Sequence, residues 1–206
     1  MILDERSIQQ TDFGALSTGT KIVKKISKIA QSSLQGKKYA QLIFRLVNFS
    51  NAKHILELGT SLGITSLYIA NAAKKSKFIT LEGCPEIAAI AQENFNKLQC
   101  KNIEILIGNF DQTLPVTIDK MSQLDLVYFD GNHRKQATLD YFNLCLKKRT
   151  CESIFIFDDI YWTKEMKAAW DEIVHHPDVT LSIDLFKLGI VFFRTGIPKQ
   201  HYQLKF

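Results

Sequence analysis

After His54 the chain alternates between two hydrophobic periods. Short runs of leucine, β-branched and aromatic residues are each followed by a turn, then by apolar positions three and four apart. The strand candidates are His54 to Leu58, Phe78 to Leu81, Ile103 to Ile107, Leu124 to Phe129, Ser153 to Phe157, Val179 to Leu185 and Gly189 to Arg194. Between them, Ile87, Ile90, Ala91, Phe95 and Leu98 fall on one helical stripe, Leu139, Phe142 and Leu146 on a second, and Met166, Ala169, Trp170 and Ile173 on a third. Such stripes are core faces, and the alternation predicts an α/β fold with a seven-stranded, mostly parallel sheet and helices on both faces. Only a few residues around Lys187 and Leu188 separate the last two strands, too few for a helical crossover, so these should pair antiparallel. Two helices separated near Gly36 are expected ahead of the sheet. The whole chain, 1–206, reads as one domain, with 1–52 a helical cover and 53–206 the sheet.

Composition narrows the class without naming a function. With 206 residues, 46% hydrophobic and 23% charged, the chain is ordinary for a globular protein, and no segment approaches the uninterrupted apolar length of a membrane span. The start, "MILDERSIQQTDFG", does not resemble a secretory signal, so a cytoplasmic location is expected. Cys84, Cys100, Cys145 and Cys151 form no C-x-x-C pair and no zinc-like spacing with histidine, and are expected to be reduced, with Cys145 in the core. Much of the net charge of +5 lies between Lys21 and Arg45, where lysines interleave with helical apolar positions. A solvated helix face explains that pattern. The nucleic-acid alternative lacks an aromatic-interleaved basic groove or recognition motif.

The candidate chemistry gathers at the strand ends. In an open parallel sheet a ligand sits beyond the carboxyl ends of the strands, near the point where strand order reverses. The first strand ends in "ELGTSLG", placing Glu57, Gly59, Thr60, Ser61 and Gly63 there in the spacing E-x-G-x-x-x-G. The dinucleotide fingerprint G-x-G-x-x-G is incomplete. Gly59 could simply turn the chain and Gly63 allow close helix packing. The second strand ends in "TLEG", with Glu82 and Gly83 about twenty residues on, where an acid would accept hydrogen bonds from a ribose diol. A nucleoside fits; a diphosphate need not. After the third strand, Asn109 and Asp111 are within reach of an adenine edge and Phe110 of its ring.

Together "ILELGTSLG", "TLEG", "IGNFD" and "LDLVYFDGNH" resemble the class I S-adenosylmethionine methyltransferases from about Lys53 to Arg194, and "FDGNH" followed by "IFIFDDI" is similar to the small-molecule O-methyltransferases that often bind a divalent metal. The resemblance implies a Rossmann-like seven-stranded sheet whose antiparallel last strand lies beside the fifth. It implies S-adenosylmethionine as cofactor, with the Glu57 to Gly63 loop around its methionine part and Glu82 on its ribose. It further implies a small hydroxylated acceptor and amino-terminal helices that cover the acceptor site or build a homodimer, with "DFGALS", Asp12 to Ser17, in that cover. An RNA or other macromolecular methyltransferase and a nonenzymatic cofactor-binding protein are the competing readings.

Asp130 ends the fourth strand, and Asp158 and Asp159 end the fifth. Three acids facing one crevice would repel, and a hard cation such as Mg²⁺, Ca²⁺ or Mn²⁺ would relieve them. In metal-dependent relatives the ligands map onto Asp130, Asp158 and Asp159, although catechol-type members often carry asparagine at the last. Caps on the next helix, or salt bridges to Lys164 or Arg134, are the structural alternatives. Relatives place a lysine or histidine base three residues after the fourth-strand acid, which makes His133 the candidate base beside Asp130. The alternative is a surface histidine opening the next helix. His54, His175, His176 and His201 have weaker claims, and Tyr161 and Trp162 are candidates for the acceptor wall.

Overall fold

The computed structural model describes residues 3–12 and 20–206. Residues 13–17 of the "DFGALS" stretch lie outside the described residues. The chain runs β1 (Ser7–Asp12), β2 (Thr20–Lys25), α1 (Ile26–Ser33), α2 (Lys37–Ser50), β3 (His54–Leu58), α3 (Ile64–Ala72), β4 (Lys77–Glu82), α4 (Pro85–Lys97), β5 (Ile103–Ile107) and α5 (Phe110–Lys120). It continues through β6 (Leu124–Phe129), α6 (Lys135–Leu146), β7 (Arg149–Phe157), α7 (Lys164–His175), β8 (Leu181–Asp184), β9 (Gly189–Phe192) and β10 (Gln200–Gln203). All seven expected strands are present.

The main sheet has eight strands in the order β10-β8-β9-β7-β6-β3-β4-β5. Its strands are parallel except β9, which pairs antiparallel with both β7 and β8. The eighth strand, β10, corrects the expected seven. Its residues are all exposed, so no apolar period announces it, and backbone pairing to β8 alone makes it a strand. A second correction concerns the amino terminus, which begins with an antiparallel hairpin, β1 with β2, before the two expected helices. Lys21, Lys24 and Lys25 therefore belong to a strand, not to a helix face. The hairpin sequence is mostly polar, and Ile8 joins an apolar cluster only once α1 and α4 are in place.

Both faces of the sheet are covered, which explains why its central strands are near-continuous apolar runs. On one face Ile55, Phe78, Leu126, Tyr128, Ile154 and Ile156 pack with Ile43 and Val47 of α2 and Ile69 of α3. Their sequence neighbours Leu56, Leu58, Phe129 and Phe157 point the other way, onto Leu114 of α5, Phe142 of α6 and Trp170 of α7. Register then aligns the strand ends: Leu58 sits opposite Phe129, and Phe129 opposite Phe157. Gly59, Asp130 and Asp158 consequently emerge side by side. Strand order reverses between β3 and β6, which places them at the crevice where such sheets bind ligands.

Candidate active site

The loop after β3 is shaped by two positions only glycine can occupy. Gly59 has φ +103°, and a Cβ there would lie 2.0 Å from the Asp130 carbonyl oxygen; Gly63 has φ +77° and would drive a Cβ to 2.5 Å from the Phe95 ring. Close backbone approach of β3 to β6 and of α3 to α4 follows. Between the two glycines, the Ser61 amide donates to Glu82 Oε2 at 2.9 Å, while the Cys84 amide donates to Glu82 Oε1 at 2.9 Å. The carboxylate is thus clamped at the mouth of both loops. Burial pushes its pKa up, and the three amides of Cys84, Ser61 and Gly83 oppose that.

These loops open into a cavity of about 220 Å³ lined by Gly59, Ser61, Glu82, Gly83, Asn109, Phe110, Asp130 and His133, all of them singled out from sequence. Thr60 lies in a small adjoining recess with Gly59, Ser61 and Asp130. Glu57 and Gly63 do not line the cavity. Glu57 is fully buried on the α3 face of β3, where its Oε2 accepts from the Ser66 hydroxyl at 2.5 Å and the Thr80 hydroxyl at 2.6 Å. It braces the loop from below. Burial raises its pKa to about 8. Asn109 has a divided role, because its side-chain oxygen caps α5 by accepting from the Asp111 amide. Asp111 does not line the cavity; its Oδ1 accepts from the Tyr141 hydroxyl at 2.7 Å.

The residues of the opposite wall were not legible in the chain. Gln10 of β1, Lys24 of β2 and Ile29, Ser32 and Ser33 of α1 close the cavity from the amino-terminal side, and the Ser33 and Ser61 hydroxyls meet at 3.0 Å. The amphipathic pattern of α1 and the amino-terminal cover implied by the resemblance were the only signals for it. Two buried acceptors of cavity-lining side chains, Gln10 Oε1 and Asn132 Oδ1, have no donor among the described residues. A buried carbonyl without a partner is costly, so both suit a ligand rich in N–H and O–H groups.

Toward β7 the picture changes. His133 Nε2 stands 3.7 Å from Asp130 Oδ1, and the imidazole edge packs on Trp162 with ring centroids 5.1 Å apart. Burial lowers the His133 pKa, with the carboxylates of Asp159 and Asp158 pulling the other way. Burial also raises Asp130, reinforced by Asp158 and Asp159. Asp158 is saturated with protein donors. Its Oδ2 accepts from Gln35 Nε2 at 2.8 Å and the Tyr128 hydroxyl at 3.0 Å, and its Oδ1 from the Asp159 amide at 2.9 Å. Lys187 Nζ lies 2.7 Å from Asp159 Oδ1 and 3.5 Å from Asp158 Oδ1. Among the described residues no three His, Cys, Asp or Glu side chains converge to hold a metal ion. The expected ligand set of Asp130, Asp158 and Asp159 does not fit an ion as it stands, because Gln35, Tyr128 and Lys187 already engage Asp158 and Lys187 holds one oxygen of Asp159.

The other histidines are accounted for structurally. His54 pairs with Asp125 at 3.3 Å, His175 meets the Asp171 carbonyl, His176 packs on Phe142, and His201 meets Ser182. Cys145 is buried in the core, and the four cysteines are unbridged. No helix among the described residues is long and apolar enough to cross a membrane.

With this geometry in view, comparison with known proteins is direct. Residues 56–160 match a family model described as a methyltransferase domain. The chain belongs to this methyltransferase family. It is 30% identical over 135 residues to a catechol O-methyltransferase of Niastella koreensis, covering 64% of this chain and 58% of that protein. It is 29% identical over 114 residues to the O-methyltransferase imqG of Aspergillus flavus, covering 52% and 45% respectively. The chain thus spans about half the length of the curated relatives it matches. Among solved structures, the O-methyltransferase TomG from Streptomyces achromogenes in complex with SAM superimposes with TM-score 0.69 at 18% identity, covering 82% of this chain and 89% of that one. The O-methyltransferase from Bacillus cereus in complex with SAH gives TM-score 0.66 at 18% identity, covering 81% and 90%. These likenesses establish a Rossmann-like methyltransferase fold.

Proposed function

We propose that this methyltransferase uses S-adenosylmethionine to methylate a hydroxyl of a small acceptor. The observation that carries the reading is Glu82, a half-buried carboxylate clamped by loop amides on the wall of a cavity at the switch point of the sheet. Its remaining lone pairs suit a ribose diol. Gln10, from the amino-terminal side, and Asn132 bring donor-seeking oxygens to the same cavity, and Gly59 permits close backbone approach. Phe110 and Asn109 stand where an adenine would pack. When bound, the cofactor's sulfonium supplies a methyl group to an attacking oxygen and leaves as the thioether.

This chain's own residues then have three tasks. The loops after β3 and β4 hold the donor, and the amino-terminal hairpin with α1 screens it from water. His133, kept neutral by burial, is placed to accept the hydroxyl proton as the oxygen attacks. Trp162 backs the imidazole and fixes its plane. Metal assistance, implied by the resemblance, does not fit a site in which Asp158 is saturated with protein donors and Lys187 holds Asp159, and no step here passes through an ion. The names of the relatives support an oxygen acceptor of small size. RNA is the weaker reading, since Lys24, a residue of the basic stretch, faces the cavity.

Titration calorimetry tests the core of this reading. S-adenosylhomocysteine should bind, and Glu82→Ala should weaken it by about 1 to 3 kcal/mol, the cost of leaving buried donors without their acceptor. Micromolar binding of NAD with no response to S-adenosylhomocysteine would overturn it.

A further inference from the structure

The acids at the end of β7 raise a question that the methyl-transfer reading leaves open: what neutralises them. Asp158 is 4% exposed, Asp159 follows it at φ +53°, and Asp130 stands beside them just past the end of β6. Such a group needs a cation. One is already there. Lys187 Nζ bridges Asp159 at 2.7 Å and Asp158 at 3.5 Å.

The lysine is held in place by its backbone. It sits in the tight connection between β8 and β9, where the Lys187 amide donates to the Leu185 carbonyl at 2.8 Å and the Leu185 amide to the Leu188 carbonyl at 2.9 Å. Phe186, at φ +66°, donates its amide to Asp184 Oδ1. Asp184 is itself buried and fixed by the Tyr161 hydroxyl and Trp170 Nε1. The Lys187 carbonyl in turn accepts from the Ile160 amide, which ties the turn to the loop carrying Asp158 and Asp159. The remaining oxygens of Asp158 are taken by Gln35, Tyr128 and the Asp159 amide. An ion entering this site would have to displace an ammonium and strip neutral donors from a buried carboxylate.

We infer that Lys187 is the resident cation of this site, taking the ground a divalent metal occupies in metal-dependent relatives, so that this chain positions its acceptor wall without one. The inference rests on the methyltransferase reading for the site's purpose. Lys187 acts as a positioning residue: it fixes Asp158 and Asp159, and through Tyr128, whose hydroxyl lies 3.0 Å from Asp158 and 3.3 Å from Asp130, the wall that carries His133. The requirement for a cation is then met within the chain. An ammonium on a stem differs from an ion in one respect, since it cannot coordinate the acceptor oxygen while holding both acids.

Electron paramagnetic titration of Mn²⁺ on the full chain, saturated with S-adenosylhomocysteine, tests this. Wild type should show no Mn²⁺ binding below the millimolar range. Lys187→Met leaves two adjacent carboxylates without their cation and should gain Mn²⁺ affinity by about tenfold or more, the direction expected when an opposite charge is removed from an acidic pair. Lys187→Arg should behave as wild type, which a purely structural role for the aliphatic stem would not require. Should Lys187→Met fail to fold, Lys187→Gln takes its place, and the wild-type titration stands by itself. Micromolar Mn²⁺ binding by wild type that Asp158→Asn abolishes overturns the inference, as does a folded Lys187→Met with no gain. Absence of S-adenosylhomocysteine binding in the same samples would instead overturn the methyltransferase reading, so the two failures are distinct. For any acceptor turned over, EDTA should leave the rate unchanged.

Discussion

At the scale of single residues, His133 bears the sharpest functional expectation. Its neighbours pull in opposite directions: burial favours the neutral ring, while Asp159 and Asp158 favour the cation, and burial prevails. A base must be unprotonated to act, so kcat/KM should fall as pH drops through a limb lying below the usual imidazole value of about 6.5. His133→Ala should lose on the order of 10²-fold in kcat and lose that limb, with S-adenosylhomocysteine affinity little changed. An unaltered profile in the variant would place the base elsewhere. Asp130 and His133 were legible from their three-residue offset after a strand. Asp158 and Asp159 were also legible, but their partners were not. Gln35 is 123 residues away from Asp158 along the chain, and nothing in its local sequence marks it as a carboxylate donor.

Among elements, the amino-terminal hairpin and α1 stand apart from the rest. Ile26, Ile29 and Ala30 bury themselves against Leu62, Cys84, Ile87 and Ile90 in a cluster of their own, separate from the two sheet faces. A small cluster carries a small share of the folding free energy, so this cover should open locally before the sheet does. Since it also forms a wall of the cavity, opening and ligand binding are linked. Ile26→Ala removes a fully buried side chain and should destabilise the cover by about 2 to 5 kcal/mol. Hydrogen exchange should then accelerate across Ile26–Ser33, and S-adenosylhomocysteine should bind more weakly, with the β3 to β7 amides protected as in wild type. Equal acceleration in sheet and cover would show that the cover is not a separate unit. The sheet elements were read from alternation and helical stripes because each buries an apolar face. The hairpin and β10 escaped that reading because backbone pairing, not side-chain burial, makes them strands.

For the whole molecule, stability should depend on pH through Glu57. Its folded pKa, about 8, lies above that of an exposed glutamate, so the folded state holds a proton that the unfolded chain releases. The stabilisation is complete at low pH, declines once the unfolded glutamate ionises above about pH 4.3, and is lost by pH 8, at up to about 1.4 kcal/mol per pH unit. Glu57→Gln keeps an acceptor for Ser66 and Thr80 and should flatten the fall in urea midpoint between pH 5 and 8; an unchanged slope would assign the dependence to other acids. By itself the sequence determined the layered fold, the row of strand ends and most of one cavity wall, since these follow from local periodicity and from turns whose residues are adjacent in the chain. Tertiary structure alone decided the second wall, the burial of Glu57 beneath its loop and the pairing of Lys187 with Asp158 and Asp159. Those depend on which distant elements close on one another, and a charged side chain reads the same in sequence whether it meets water, a metal or a carboxylate.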